Sequence, residues 1–188
     1  MSLTLFARRP APELPAPEPW PEIGETWKPE GVTVVERYAN QAGAVVLVFS
    51  PDDQSYQHVV ACLGCHYSQT TDPDKTYSSG FTLTEAGRFA NTHAASCRAL
   101  PRDIPARPDD AAAREQLRKW VASWRRRDRD EEIYLRFFNH GRLVLQRSNE
   151  WITSELQRLA DAQPDLVRAE PSSYSDRIDY YVRQLPKE

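Results

Sequence analysis

Glycine and lysine are both scarce in this chain, with seven Gly and only four Lys (Lys28, Lys75, Lys119, Lys187) among 188 residues. So few glycines leave little room for a phosphate-cradling loop, and the sequence contains no Gly-rich nucleotide loop, nucleophile elbow or His-Glu-x-x-His helix. Adjacent carboxylates such as Asp52/Asp53 and Glu131/Glu132 face different ways and read as surface charge. The expected role is therefore non-enzymatic, with any activity assembled only by the fold left open. No run approaches the roughly 20 apolar residues of a spanning helix. The opening MSLTLFARRP also lacks an apolar stretch leading to a small-residue cleavage site. A soluble cytoplasmic protein with no membrane partner is expected. Excess positive charge is missing too: 24 Lys and Arg against 27 Asp and Glu give a net charge of -3. No molecule-wide field collects nucleic acid, and any basic surface must be local. The preference for Arg over Lys fits a GC-rich bacterial genome.

Cysteine numbers only three, an odd count that argues against a closed disulfide framework. All three lie between positions 62 and 97, where a metal site would gather them with a histidine. Cys62 and Cys65 are two residues apart around Leu63-Gly64, a spacing that lets both thiolates turn about one ion. His93 and Cys97 are four apart on an expected helix, so their side chains share a face one turn apart. The four are expected to bind one structural zinc ion (Zn2+), closed by three thiolates and an imidazole with no open position for water. With the thiols ionised and the ion bound, the formal charge moves from -3 to -4.

Competing readings exist. A redox Cys-x-x-Cys would account for Cys62 and Cys65 but leave the spacing of His93 and Cys97 to chance. Buried, unliganded Cys is the bland possibility, and an iron-sulfur cluster would more often use four Cys. His66 could take the place of His93 if its loop folds back, whereas His58, about 13 Å of extended chain from Cys62, is too far.

Along the chain, fifteen prolines punctuate the organisation. Residues 1–30 read as an extended Pro-rich arm, interleaved with Trp20, Ile23 and Trp27 and either laid over its own domain or free for a partner's groove. Residues 31–100 read as the zinc-binding domain. Val-, Tyr- and Phe-rich runs at Val32 to Ala39, Ala44 to Phe49 and Tyr56 to Cys62 predict a three-stranded antiparallel meander. Thr82 with Glu85 then supplies a capping box for a helix from about Leu83 to Arg98. Pro101, Pro105 and Pro108 mark a linker over residues 101–110. In residues 111–188, Leu117, Trp120, Val121 and Trp124 recur on one helical face, predicting a helix from Ala111 to about Arg127. Ile133 to Arg147 reads as a buried helix interrupted at Gly141 or as a hairpin about Asn139-His140-Gly141, with the helix preferred. Asn149 to Ala162 reads as a helix, and Leu166 to Glu170 with Ile178 to Gln184 as a terminal hairpin. The fold class is α+β: a zinc-stapled β-meander with a helix, then a mostly helical domain ending in a hairpin.

Cys-x-x-Cys in a β-rich region followed by His-x-x-x-Cys on a helix resembles the CCHC variant of the ββα zinc finger, over about Tyr56 to Arg98. The resemblance implies a structural zinc on Cys62, Cys65, His93 and Cys97. Between Cys65 and His93 lie 27 residues, against roughly a dozen in the finger that reads a DNA major groove. Docking in that mode is not implied. The order helix, ambiguous segment, helix, hairpin over Ala111 to Leu185 resembles the winged-helix fold.

One local basic surface stands out. Arg114, Arg118, Arg125 and Arg129 fall within about 60° of one another if the helix persists that far, and Lys119, Arg126 and Arg127 widen the patch. Arg114, Arg118, Lys119, Arg125, Arg126 and Arg127 are the candidate contacts to DNA or RNA phosphates. The same charges, following Asp109, Asp110 and Glu115, also suit a solvated face matched to the helix dipole. The expectation is a zinc-binding, nucleic-acid-associated or regulatory factor. The alternative is an adaptor whose Pro/Trp arm and exposed aromatics such as Tyr174, Tyr180 and Tyr181 meet a protein partner.

Overall fold

The computed structural model describes residues 27–52, 57–74, 80–173 and 175–185. The expected Pro-rich arm falls mostly on residues 1–26, and Tyr56 and Tyr174 stand at positions 56 and 174; all of these lie outside the described residues. The chain is α+β: a four-stranded antiparallel sheet with a helix, then helices and a C-terminal hairpin. Strands β1 (Val32–Ala39), β2 (Val45–Pro51), β3 (Val59–Cys62) and β4 (Ser68–Gln69) pair in sequence order. The meander thus has the expected three strands and a short fourth, which pairs Val60 with Gln69 and Ala61 with Ser68.

Every residue of β2 is buried, so both faces of the sheet must be covered. Val46 and Val48, with Val60 and Cys62 of β3, face helix α1 (Leu83–Ser96). That helix presents Ala86, Ala90 and Ala94, small side chains that let it lie close to the strands. Its start follows the expected capping box. Thr82 Oγ1 accepts from the Glu85 backbone N–H at 3.3 Å, and Glu85 Oε2 accepts from the Thr82 N–H at 2.9 Å.

Val45, Leu47 and Phe49 face the other way, where Leu143 of the C-terminal half closes the cluster. Helix α3 (Arg142–Leu145) is only four residues long, but Leu143 packs on the sheet while Leu145 packs into the C-terminal core. Burying a leucine contributes about 1.5–3 kcal/mol, so Leu143 alone gives the contact between halves real weight.

The C-terminal core is built from Leu117 and Val121 of α2 (Asp110–Ser123), Ile152, Leu156 and Leu159 of α4 (Asn149–Ala162), and Val167, Tyr180 and Val182 of the hairpin. The hairpin pairs β6 (Val167–Pro171) with β7 (Ile178–Val182), and β5 (Glu131–Glu132) adds to the free side of β7, giving the order β5-β7-β6. The sequence carried no sign of β5, because two acidic residues have no strand pattern of their own.

Two expectations are corrected and one is refined. Helix α2 ends at Ser123 and not near Arg127: the Trp124 N–H bonds the Val121 carbonyl at 3.1 Å and the chain turns away. Within Ile133 to Arg147 the helix interrupted at Gly141 is found, as a 3-10 helix over Leu135–Gly141 that leads into α3. Gly141 is why no bulkier residue joins them: a Cβ there would stand 2.2 Å from the Trp120 ring. Tyr180, expected as an exposed aromatic, is buried in the core with its hydroxyl donating to Gln157 Oε1 at 3.2 Å.

Two arginines with almost no solvent exposure lie at the junction between the halves. Arg142 donates to the Arg147 carbonyl at 2.9 Å and to Asn149 Oδ1, and lies 3.6 Å from Asp52 at the end of β2. Burial pushes its guanidinium down to about 10, with Asp52 pulling the other way, so the charge persists at neutral pH. Arg147 donates to the carbonyls of Gln146 (2.9 Å) and Pro108 (2.8 Å) and to Asp110 Oδ1 (2.8 Å). Gly31 completes this seam: its φ is +75°, and a Cβ would lie 2.1 Å from the Arg147 carbonyl oxygen. Gly31→Ala is expected to cost about 2–4 kcal/mol, from the left-handed backbone and the forced separation together. Denaturant unfolding checks this, and an unchanged midpoint would refute it.

Glu155 of α4 is buried and accepts from Arg114 Nε at 2.8 Å and Arg158 Nε at 2.5 Å. Burial alone would push its carboxyl up, but the two Arg hydrogen bonds outweigh it and hold the group below the ordinary range. A depressed folded value stabilises the protein above the unfolded Glu value, about 4.3, and the benefit disappears as pH falls through the folded value. Glu155→Gln should therefore lower the melting temperature at pH 7 and lose that deficit relative to wild type below about pH 4. Melting curves across pH test this, and a deficit constant with pH would contradict it.

Candidate metal centre

Strand β3 ends at Cys62, and the chain reverses through Leu63-Gly64 to return as β4. The reversal is held by the Cys62 N–H to the Tyr67 carbonyl (2.8 Å) and the His66 N–H to the Cys62 carbonyl (3.2 Å). Backbone N–H groups of Gly64 and Cys65 are directed at the Cys62 sulfur. Gly64 suits a crowded place: a Cβ would lie 2.6 Å from Ala44 Cβ and 2.9 Å from the Leu100 carbonyl oxygen.

The other half comes from the last turn of α1. His93 stands on the helix, and Cys97 is its C-cap, with its own N–H on the His93 carbonyl at 2.8 Å. The His93 ring stacks on Tyr67, with centroids 4.1 Å apart and planes 12° from parallel. That contact brings Nε2 to 3.3 Å from Cys65 Sγ.

One ligand atom from each of Cys62, Cys65, His93 and Cys97 lies within 4.8 Å of all the others. Zinc–sulfur bonds of about 2.3 Å and zinc–nitrogen bonds of about 2.0 Å put ligand atoms about 3.5–3.8 Å apart around a tetrahedron. The group could hold a metal ion with only small movements. Cys62 is buried, His93 and Cys97 are half-buried and Cys65 is exposed, so the group has a wet side. Burial pushes the Cys62 thiol up to about 11 despite the N–H groups aimed at it; a cation would have to offset that to hold it as thiolate. Cys97 is shifted down, chiefly by the Ala99 N–H, which reaches its sulfur at 3.5 Å. Burial lowers the His93 value, which keeps the imidazole neutral and able to ligate.

Sequence reasoning missed the residues that hold this arrangement in place. Asn40, buried at the end of β1, accepts from the Ala42 and Ala44 N–H groups through Oδ1 (2.9 and 2.8 Å). Its Nδ2 donates to the Ala99 carbonyl at 2.8 Å, fastening the chain just after Cys97 to the β1–β2 turn. An Asn three residues before a Gly is a local sign of a turn, but the link of Asn40 to position 99 leaves no local trace. Of the competing histidines, His66 has a positive φ and bonds Arg102, away from the cluster. His58 is buried with Nδ1 on the Phe81 carbonyl at 3.2 Å.

Comparison with protein-family models, with curated proteins and with solved structures finds no match to this chain. The reading of the centre rests on its own geometry.

The candidate nucleic-acid contacts are dispersed by the early end of α2. Arg114 pairs with Glu155 and lies 4.0 Å from Asp110. Arg118 and Lys119 share Glu115, at 2.8 and 3.7 Å, and the Arg118 hydrogen bond holds that carboxyl down at about 2. Arg125 is turned inward, donating to the carbonyls of Arg183, Asp165 and Gln184 at 2.9–3.1 Å. Arg126 lies 3.7 Å from Glu131, and Arg127 is exposed. Among the described residues, no helix is long and apolar enough to cross a membrane.

The geometry predicts that Cys62→Ser, Cys97→Ser and His93→Ala each reduce bound metal well below one ion per chain, while His66→Ala leaves it unchanged. Elemental analysis of purified protein decides. Full occupancy in His93→Ala with loss in His66→Ala would reverse the assignment.

Proposed function

We propose that Cys62, Cys65, His93 and Cys97 hold one zinc ion, and that the ion is structural. Three thiolates and an imidazole complete a tetrahedron from protein atoms alone, leaving no position for a reacting water. The observation that carries this reading is the mutual approach of the four ligand atoms to within 4.8 Å, drawn from two elements 28 residues apart in sequence. The ion would close the β3–β4 turn onto the end of α1, where the covering side chains are mostly alanines and bring little apolar area of their own. Zinc is favoured over a redox pair because His93 and Cys97 converge on the same point as Cys62 and Cys65.

On this reading the protein is a non-enzymatic, zinc-stapled binding factor associated with nucleic acid. The C-terminal elements support it by their order: α2, β5, α3, α4, then the β6–β7 hairpin with β7 central in its sheet, as in the winged-helix resemblance. Helix α4 exposes Glu150 and Asp161, which repel phosphate, so the contact would fall on α2 and the loop after it. There Arg118 and Lys119 divide one carboxylate between them and Arg127 is exposed, leaving net positive charge.

Chelation supplies the first test. Losing only about 3 kcal/mol in a chain of this size lowers the melting temperature by roughly 6–12 °C, and zinc should restore it. Protein that carries no metal and melts identically with and without chelator would end the proposal. For the second part, binding to random duplex DNA should weaken steeply with salt and fall at least tenfold in a combined Arg118→Ala, Lys119→Ala, Arg127→Ala variant. No binding at low salt, together with salt-insensitive capture of one protein partner, would favour an adaptor instead.

A further inference from the structure

A cleft of about 760 Å³ lies where the β3–β4 edge of the first sheet meets the end of α2 and the 3-10 helix. Its volume is within the range of small-molecule sites, about 300–1,000 Å³. Its walls differ in chemistry. Trp124 and Phe137 supply an aromatic side, meeting edge to face with centroids 5.5 Å apart. Arg126 and Arg136 supply cations on the same side. Across from them stand neutral hydrogen-bonding groups of the other half, joined to it by His140, whose ring nitrogens reach Ser68 Oγ at 3.0 Å and Thr70 Oγ1 at 3.3 Å.

Three of these features are unaccounted for by folding alone. Arg136 is exposed, with its guanidinium 4.1 Å above the Tyr134 ring and 5.6 Å from that of Phe137; among the described residues no carboxylate pairs with it. Arg126 reaches Glu131 only at 3.7 Å, beyond hydrogen-bond range, so an anion could displace that contact. Asn139, only 3% exposed, contributes to the lining, and its Oδ1 has no hydrogen-bond partner among the described residues. A buried amide oxygen left unpaired is rare and costly, and a donor brought in by a ligand would relieve it after a small shift of the side chain.

We propose that this cleft binds a mononucleotide-type ligand, a planar ring bearing a phosphate. Arg126 and Arg136 would fork onto the phosphate. The ring would lie against Trp124 and Phe137, where base-aromatic contact is tolerant of base identity, and its polar edge would approach Asn139. The site is separate from the metal centre, and although Arg126 also lies on the loop proposed to meet duplex DNA, Arg136 does not, so the Arg136→Gln variant tests the cleft independently.

The test is calorimetric titration of the full-length chain with AMP at low salt, alongside adenosine and inorganic phosphate. Binding of AMP is expected, with affinity falling at least tenfold in Arg136→Gln and in Arg126→Gln and unchanged in Arg37→Gln, whose side chain lies outside the cleft. Both cleft variants alter exposed side chains, and matching melting temperatures verify that they fold. Adenosine and phosphate should each bind at least tenfold more weakly than AMP. Absence of AMP binding at millimolar concentration, binding indifferent to both Arg substitutions, or phosphate binding as tightly as AMP would each overturn the proposal.

Discussion

A strand that is apolar on both faces has to be covered twice, and β2 is buried along its whole length. One cover is α1, and the helix that shields Val46 and Val48 is the one that delivers His93 and Cys97 to the turn carrying Cys62 and Cys65. The other cover comes from beyond the proline-rich linker, as Leu143. The candidate metal centre and the junction between the halves are thus two results of the same demand. Neither arises from surface chemistry.

Much of this was legible in the sequence because the signals were local. Alternating Val and Tyr runs, a Thr-x-x-Glu box and an Asn149 to Ala162 periodicity each specify an element within a few residues, and the four metal-ligand candidates could be named because spacing alone places two on a turn and two on one helical face. What could not be read was anything whose cause lies far along the chain. β5 exists because β7 has an open edge. The grip of Asn40 on Ala99 spans 59 residues, and Leu143 and Leu145 serve different cores although only one residue separates them. The end of α2 was misplaced for a related reason: helix propensity runs on through the Arg run, but Arg125 finds three carbonyls on the C-terminal segments and leaves the helix to reach them.

Arginine does several jobs in this molecule, and composition could not separate them. Arg142 and Arg147 are structural cations with no access to water, each meeting several carbonyl or carboxylate oxygens. A charge buried in this way is tolerated because its fork of donors is mostly filled, although the Nε of each remains without a partner. The surface arginines of α2 are largely balanced by Glu115 and Glu155. Those around the cleft are not balanced to the same degree: Arg136 has no carboxylate partner among the described residues, and Arg126 reaches Glu131 only at 3.7 Å.

The double use of Cys97, as the residue that ends α1 and as one corner of the ligand group, gives that helix the character of a ruler. Each residue added to a helix advances it by about 1.5 Å and rotates it by about 100°. An insertion or deletion between Thr82 and His93 would swing both His93 and Cys97 off the turn at Gly64 while leaving the composition of the helix almost unchanged. In related chains, α1 should accept exchanges at its outward positions freely, yet keep its length.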